Sequence, residues 1–249
     1  MKRVNHYQIA IVLCMIIVSA ASCKKFDDMG VPYPESQLKA CGIEKFIFYR
    51  PHWTVADTLT IEYNYKGDPV RITRPDPGTA APNYIFKYKN GRLSDFIGVY
   101  KNGTTSEVWH RYIYDAMGRV AIDSGYSFSQ IVNDEPTDPV IRFSSTFIYD
   151  SQNRIIKETL TWDDGSVNET NYQYDSKGNL IGPAYGDKLS FRRTHKIWMF
   201  IDRNYSVNNQ TGYSNFNPGQ LPKEMNFAAG EDSFLDNYYY KASIQYKCD

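Results

Sequence analysis

The chain has 249 residues, 15 % of them aromatic, and its 28 basic residues balance 28 acidic ones. A neutral chain with scattered charge carries no electrostatic footprint for nucleic acid, which argues against DNA or RNA as a partner. The length suits one large all-β domain or two small ones, and 21 tyrosines favour β structure because phenol rings fit a pleated, half-wet surface.

Lys2 and Arg3 open the chain, Ile9 to Val18 is an uncharged apolar run, and Ser19-Ala20-Ala21-Ser22 precedes Cys23. A membrane-spanning helix needs about 20 apolar residues, so this shorter run reads as the core of a secretory signal. Small residues directly before a cysteine resemble the lipobox of bacterial lipoproteins, where diacylglycerol is joined to the thiol and the chain is cut so that cysteine comes first. The family's usual Leu three places before the cysteine is Ala20 here. The resemblance implies a signal peptide over 1–22, lipidation of Cys23, and anchorage to the outer membrane on its periplasmic or external face. Cys23-Lys24-Lys25-Phe26-Asp27-Asp28 is similar to the short charged tag of surface-exposed lipoproteins of the Bacteroidetes, and it reads equally as a solvated tether. Residues 23–40 contain Pro32 and Pro34 and little apolar pattern, so a lipidated tether is expected there, with a single β domain over 41–249.

Cys14 leaves with the signal and Cys23 takes lipid, so Cys41 and Cys248 remain. Export places them in an oxidising compartment, and two cysteines allow one intrachain pairing. A Cys41–Cys248 disulfide is expected; two buried free thiols are the alternative.

From there the sequence is punctuated by turns. Tyr88-Lys89-Asn90-Gly91-Arg92 holds Asn-Gly, whose two residues accept the positive φ of a type I′ hairpin. Tyr100-Lys101-Asn102-Gly103 repeats it. Tyr114-Asp115-Ala116-Met117-Gly118-Arg119 is a longer turn, in which the Asp carboxylate can bond backbone N–H groups ahead of it. Tyr149-Asp150-Ser151-Gln152-Asn153-Arg154 and Tyr174-Asp175-Ser176-Lys177-Gly178-Asn179 have the same form, and Tyr63 to Asp68 is a shortened copy. Strand-length runs lie between: Thr104–Tyr114, Val140–Tyr149, Arg154–Trp162 and Ser166–Tyr174. Their alternation marks half-buried antiparallel strands. Gln130 to Pro139, polar with two prolines, is expected to be a loop. The fold class is therefore all-β: an antiparallel up-and-down meander of repeated β-hairpins, as an open twisted sheet or a partly closed barrel. Ile197, Ile201 and Tyr205 permit one short helix within 194–205, with a strand as the alternative.

The repeated unit, Tyr112-Ile113-Tyr114-Asp115-Ala116-Met117-Gly118-Arg119-Val120, resembles the YD repeat of RHS-type proteins over roughly residues 60 to 182. It is also similar to degenerate YD-like repeats in Bacteroidetes lipoproteins. RHS shells enclose toxins with far more repeats than this chain holds, so a toxin role is not implied.

Chemistry-bearing motifs are sparse. His52, His110 and His195 lie far apart in sequence, without metal spacing, so neither a metal nor a cofactor is expected. No nucleophile elbow, zinc-protease motif or phosphate loop is present, and no catalytic residue is assigned. Asp163, Asp164 and Glu169 could form a carboxylate pair, but Asp-Asp-Gly is turn chemistry. Tyrosines are the best lead: Tyr112, Tyr172, Tyr174 and Tyr239 could offer a stacking platform, or could simply pack across strands. The expected role is a non-catalytic module, membrane-anchored by lipid, that meets a glycan, peptide or protein partner at the envelope. An envelope hydrolase and a purely structural component are the alternatives.

Overall fold

The computed structural model describes residues 38, 41–49, 56–226 and 241–248. The expectations for the signal, Cys23, the tether and Tyr239 lie outside or almost outside these residues.

Fourteen strands form one antiparallel, unclosed sheet. From the N-terminal side they are β1 (Ile43–Tyr49), β2 (Asp57–Tyr63), β3 (Pro69–Thr73), β4 (Asn83–Lys89), β5 (Arg92–Val99), β6 (Thr105–Tyr114) and β7 (Val120–Val132). Next come β8 (Glu135–Thr137), β9 (Ile141–Tyr149), β10 (Ile155–Trp162) and β11 (Val167–Asn171). Two short strands, β12 (Tyr185–Leu189) and β13 (Asn208–Gln210), pair separately. β14 (Tyr213–Phe216), β15 (Pro222–Asn226) and β16 (Lys241–Tyr246) rejoin the sheet beside β1. The order β11-β10-β9-β7-β6-β5-β4-β3-β2-β1-β16-β15-β14 is the meander the sequence predicts, in its open form. Cys41 and Cys248 form a disulfide that ties the entry of β1 to the exit of β16, 207 residues away.

Two sequence expectations are corrected. Gln130 to Pro139 is not a loop: β7 runs on to Val132 and β8 folds back on it, pairing Gln130 with Thr137 and Val132 with Glu135. Asn133 and Asp134 both adopt positive φ, so they close the hairpin without a glycine. The short helix exists but is briefer than 194–205. A 3₁₀ turn over Phe191–Thr194 leads into α1 (Lys196–Ile201). Phe191, Trp198 and Phe200 pack edge-on against Phe46, Phe86 and Tyr112, which cover this sheet face with a core.

The repeat motif has a physical reading at each position. In the four Asx turns one side-chain oxygen accepts two backbone N–H groups: Asn64 from Lys66 and Asp68, Asp115 from Met117 and Arg119, Asp150 from Gln152 and Arg154, Asp175 from Lys177 and Asn179. Asn90-Gly91, both at positive φ, makes the two-residue turn between β4 and β5. The tyrosine before each turn reaches across to the return strand of the preceding hairpin. Its hydroxyl donates to the carbonyl near that strand's start: Tyr88 to Pro69 at 2.6 Å, Tyr114 to Leu93 at 2.8 Å, Tyr149 to Val120 at 2.7 Å and Tyr174 to Ile155 at 3.4 Å. Tyr63 does the same to Ile43, and Tyr246 to Pro222. The basic residue before three of these acceptors covers the same tyrosine ring, Arg92 over Tyr114, Arg119 over Tyr149 and Arg154 over Tyr174 at 4.0 Å. Burial raises the Tyr114 phenol to about 12, so it stays a donor at all physiological pH.

Replacing Tyr114 or Tyr149 by Phe is expected to cost about 1 kcal/mol each, and the two losses should add in denaturant unfolding because they involve separate partners. Reducing the disulfide should lower stability by roughly 2–4 kcal/mol, read as a shift in midpoint with reductant.

Candidate functional site

Of the tyrosines singled out in the sequence, Tyr112, Tyr172 and Tyr174 are described, and each is spent on other contacts. Tyr112 is a correction: it is 7 % exposed, with Phe200 against its ring, so it belongs to the core. Tyr174 is a rung of the inter-hairpin ladder. Tyr172 is half-buried and donates to Glu158 at 3.2 Å; burial and the Glu158 charge raise its phenol to about 12. Asp164 caps its turn by accepting from Ser166 N at 2.8 Å, and Glu169 pairs with Lys157, so neither joins a carboxylate pair. Among the described residues no group of three or more His, Cys, Asp or Glu side chains could hold a metal ion.

The structure instead gathers a polar cluster that the sequence does not reveal. Alternation along paired strands puts His110 and Tyr112 of β6, Asp123 of β7, Phe143 and Phe147 of β9, and Glu158 and Trp162 of β10 on the face that α1 covers in part. Arg203, just after α1 and at positive φ, reaches down between Phe147 and Phe200, 4.6 and 4.5 Å from their centroids. Its guanidinium donates to Glu158 at 3.2 and 3.3 Å and to Asp123 at 3.3 Å. Asp123, 2 % exposed, also accepts from His110 Nδ1 at 2.9 Å. A carboxylate can only accept, so Nδ1 carries the proton in this contact. Burial alone would raise the Asp123 carboxyl, but His110 and Arg203 outweigh it and hold it below its ordinary value. Burial likewise works against the Arg203 cation, and Glu158 and Asp123 more than reverse it. A general acid for glycoside cleavage needs a raised carboxyl, and Asp123 is the opposite.

Beside this cluster runs an aromatic strip. His110 lies 5.6 Å from Phe143, and Phe143 lies 5.5 Å from Trp162, across β6, β7, β9 and β10. Gly125 of β7 makes the passage possible, because a Cβ there would sit 2.0 Å from the Phe143 ring. Both Phe143 and Trp162 are half-buried, while Trp109 and Trp198 are sealed in the core. On the same face, Asn168 and Thr170 of the edge strand β11 stand exposed opposite Leu160 and Glu158.

No protein-family model matches the chain, and no curated protein matches it. Among solved structures, a porin-like protein from Bacteroides vulgatus aligns with 83 % of this chain and 98 % of its own, at 12 % identity and a TM-score of 0.42. The TcdB2-TccC3-TEV structure aligns with 76 % of this chain and 11 % of its own, at 12 % identity and a TM-score of 0.24. Likeness at this level bears on no function.

The buried pairs set a pH dependence. The folded Asp123 carboxyl titrates below its unfolded value of about 3.9, so its ionised form stabilises the fold above about pH 4. That contribution fades as pH falls through the folded value. Asp123→Asn should therefore be less stable at neutral pH and show a shallower acid limb in stability against pH. Arg203→Met, which strands two carboxylates, should cost roughly 3–5 kcal/mol.

Proposed function

We propose that this chain is a lipid-anchored envelope protein whose sheet binds a partner without transforming it. The observation that carries this reading is that the carboxylates on the α1 face are bound to neighbouring donors. Asp123 is shared by His110 and Arg203, and Glu158 by Arg203 and Tyr172, which leaves neither of these two poised to move a proton. The half-buried aromatic strip beside them is the open feature. The resemblance of Ser19-Ala20-Ala21-Ser22-Cys23 to a lipobox supports the anchor, and the Cys41–Cys248 bond suits an oxidising compartment.

Cells expressing the full chain and fed radiolabelled palmitate should place label on the protein in the membrane fraction. Cys23→Ala should lose the label and leave the membrane. Label persisting in that variant would overturn the anchor.

A further inference from the structure

We propose that the strip formed by His110, Phe143 and Trp162 is a binding site for a neutral carbohydrate chain; this rests on the binding-module reading above. The ligand class follows from what the strip offers. Two half-buried rings, 5.5 Å between centroids, present apolar area suited to the flat C–H face of a pyranose ring. Neutral polar groups border them. Asn168 offers an amide and Thr170 a hydroxyl, which match a ligand rich in hydroxyls.

Charge complementarity sets the rest. The two carboxylates on the strip's face are already compensated: Asp123 by His110 and Arg203, and Glu158 by Arg203. In the turn after Trp162, Asp164 accepts from Ser166 N and Asp163 from Arg142 N. An anionic sugar would meet these carboxylates. To pair with Asp123 or Glu158, a cationic ligand would have to displace Arg203, which is clamped by two aromatic rings. A neutral ligand disturbs none of these pairs. The strip also begins at the core and opens outward. Phe96 stacks on His110, Phe143 follows, and Trp162 lies nearest the sheet edge, with β10 and β11 beyond it. A linear chain of rings therefore fits better than a single sugar.

The test uses the full chain in a sugar-free detergent. Cellohexaose, xylohexaose, mannohexaose and maltohexaose are titrated beside oligogalacturonate, a chitosan hexamer and a tryptic casein digest. At least one neutral hexasaccharide is expected to raise the thermal midpoint and to bind more tightly than either charged sugar. Trp162→Ala should weaken that binding about tenfold or more, while Tyr65→Ala, a change at a 92 % exposed turn residue, should leave it unchanged. A readout that does not depend on the folding of Trp162→Ala is also available. In a Trp53→Phe background Trp162 is the half-buried tryptophan beside buried Trp109 and Trp198, so the hexasaccharide should shield it from acrylamide quenching. The proposal is overturned if no neutral hexasaccharide binds, if a charged sugar is preferred, or if quenching is unchanged on binding. Casein peptides binding alone would reject the carbohydrate and keep the binding module; no probe binding would count against both.

Discussion

The sheet depends on a hydrogen bond that skips from one hairpin to the one before it. A meander of two-stranded units is only marginally stable piece by piece, because an isolated hairpin buries little and pairs on few sides. Here the tyrosine at the end of each outgoing strand donates its hydroxyl to the carbonyl at the start of the preceding return strand, and in three of these contacts an arginine on that return strand lies over the ring. One side chain thus fills a donor site, adds aromatic area and receives a cation. The turn carboxylate holds the arginine in place: Asp115 accepts from Arg119 Nε and Asp150 from Arg154 Nε, each at 2.8 Å. Turn, strand end and neighbouring hairpin become one unit, and the repeat is the smallest piece of sequence that carries it.

Much of this was legible because turn chemistry is local. Asn90-Gly91 and the Tyr-Asp turns announce themselves within six residues, and the strands follow from where the turns fall. Tyr114 and Tyr149 are 35 residues apart, whereas Tyr88 and Tyr114 are 26 apart. The extra length is the β7–β8 hairpin, closed by Asn133-Asp134, which lacks the glycine that a sequence reading looks for. The site was not legible. His110 and Asp123 come from adjacent strands, but Glu158 and Arg203 are 45 residues apart and Asp123 and Arg203 are 80 apart. Only the placement of α1 across the sheet joins them. The tyrosines that looked most available, Tyr112 and Tyr174, are spent on the core and on the ladder.

The same economy shapes the functional face. The 3₁₀ turn and α1 seal the sheet where Phe46, Phe86 and Tyr112 need cover, and Arg203, two residues past α1, neutralises the carboxylates at the margin of that cover. Beyond the margin the aromatic row continues through Phe143, lying over Gly125, to half-buried Trp162.

The central claim is that the tyrosine contacts couple successive hairpins into one cooperative body. Native-state hydrogen exchange measures this most directly. The strand amides from β4 to β10 should open together, with one common free energy and one common dependence on denaturant. Hairpins that open one by one, each with its own free energy, would contradict the account.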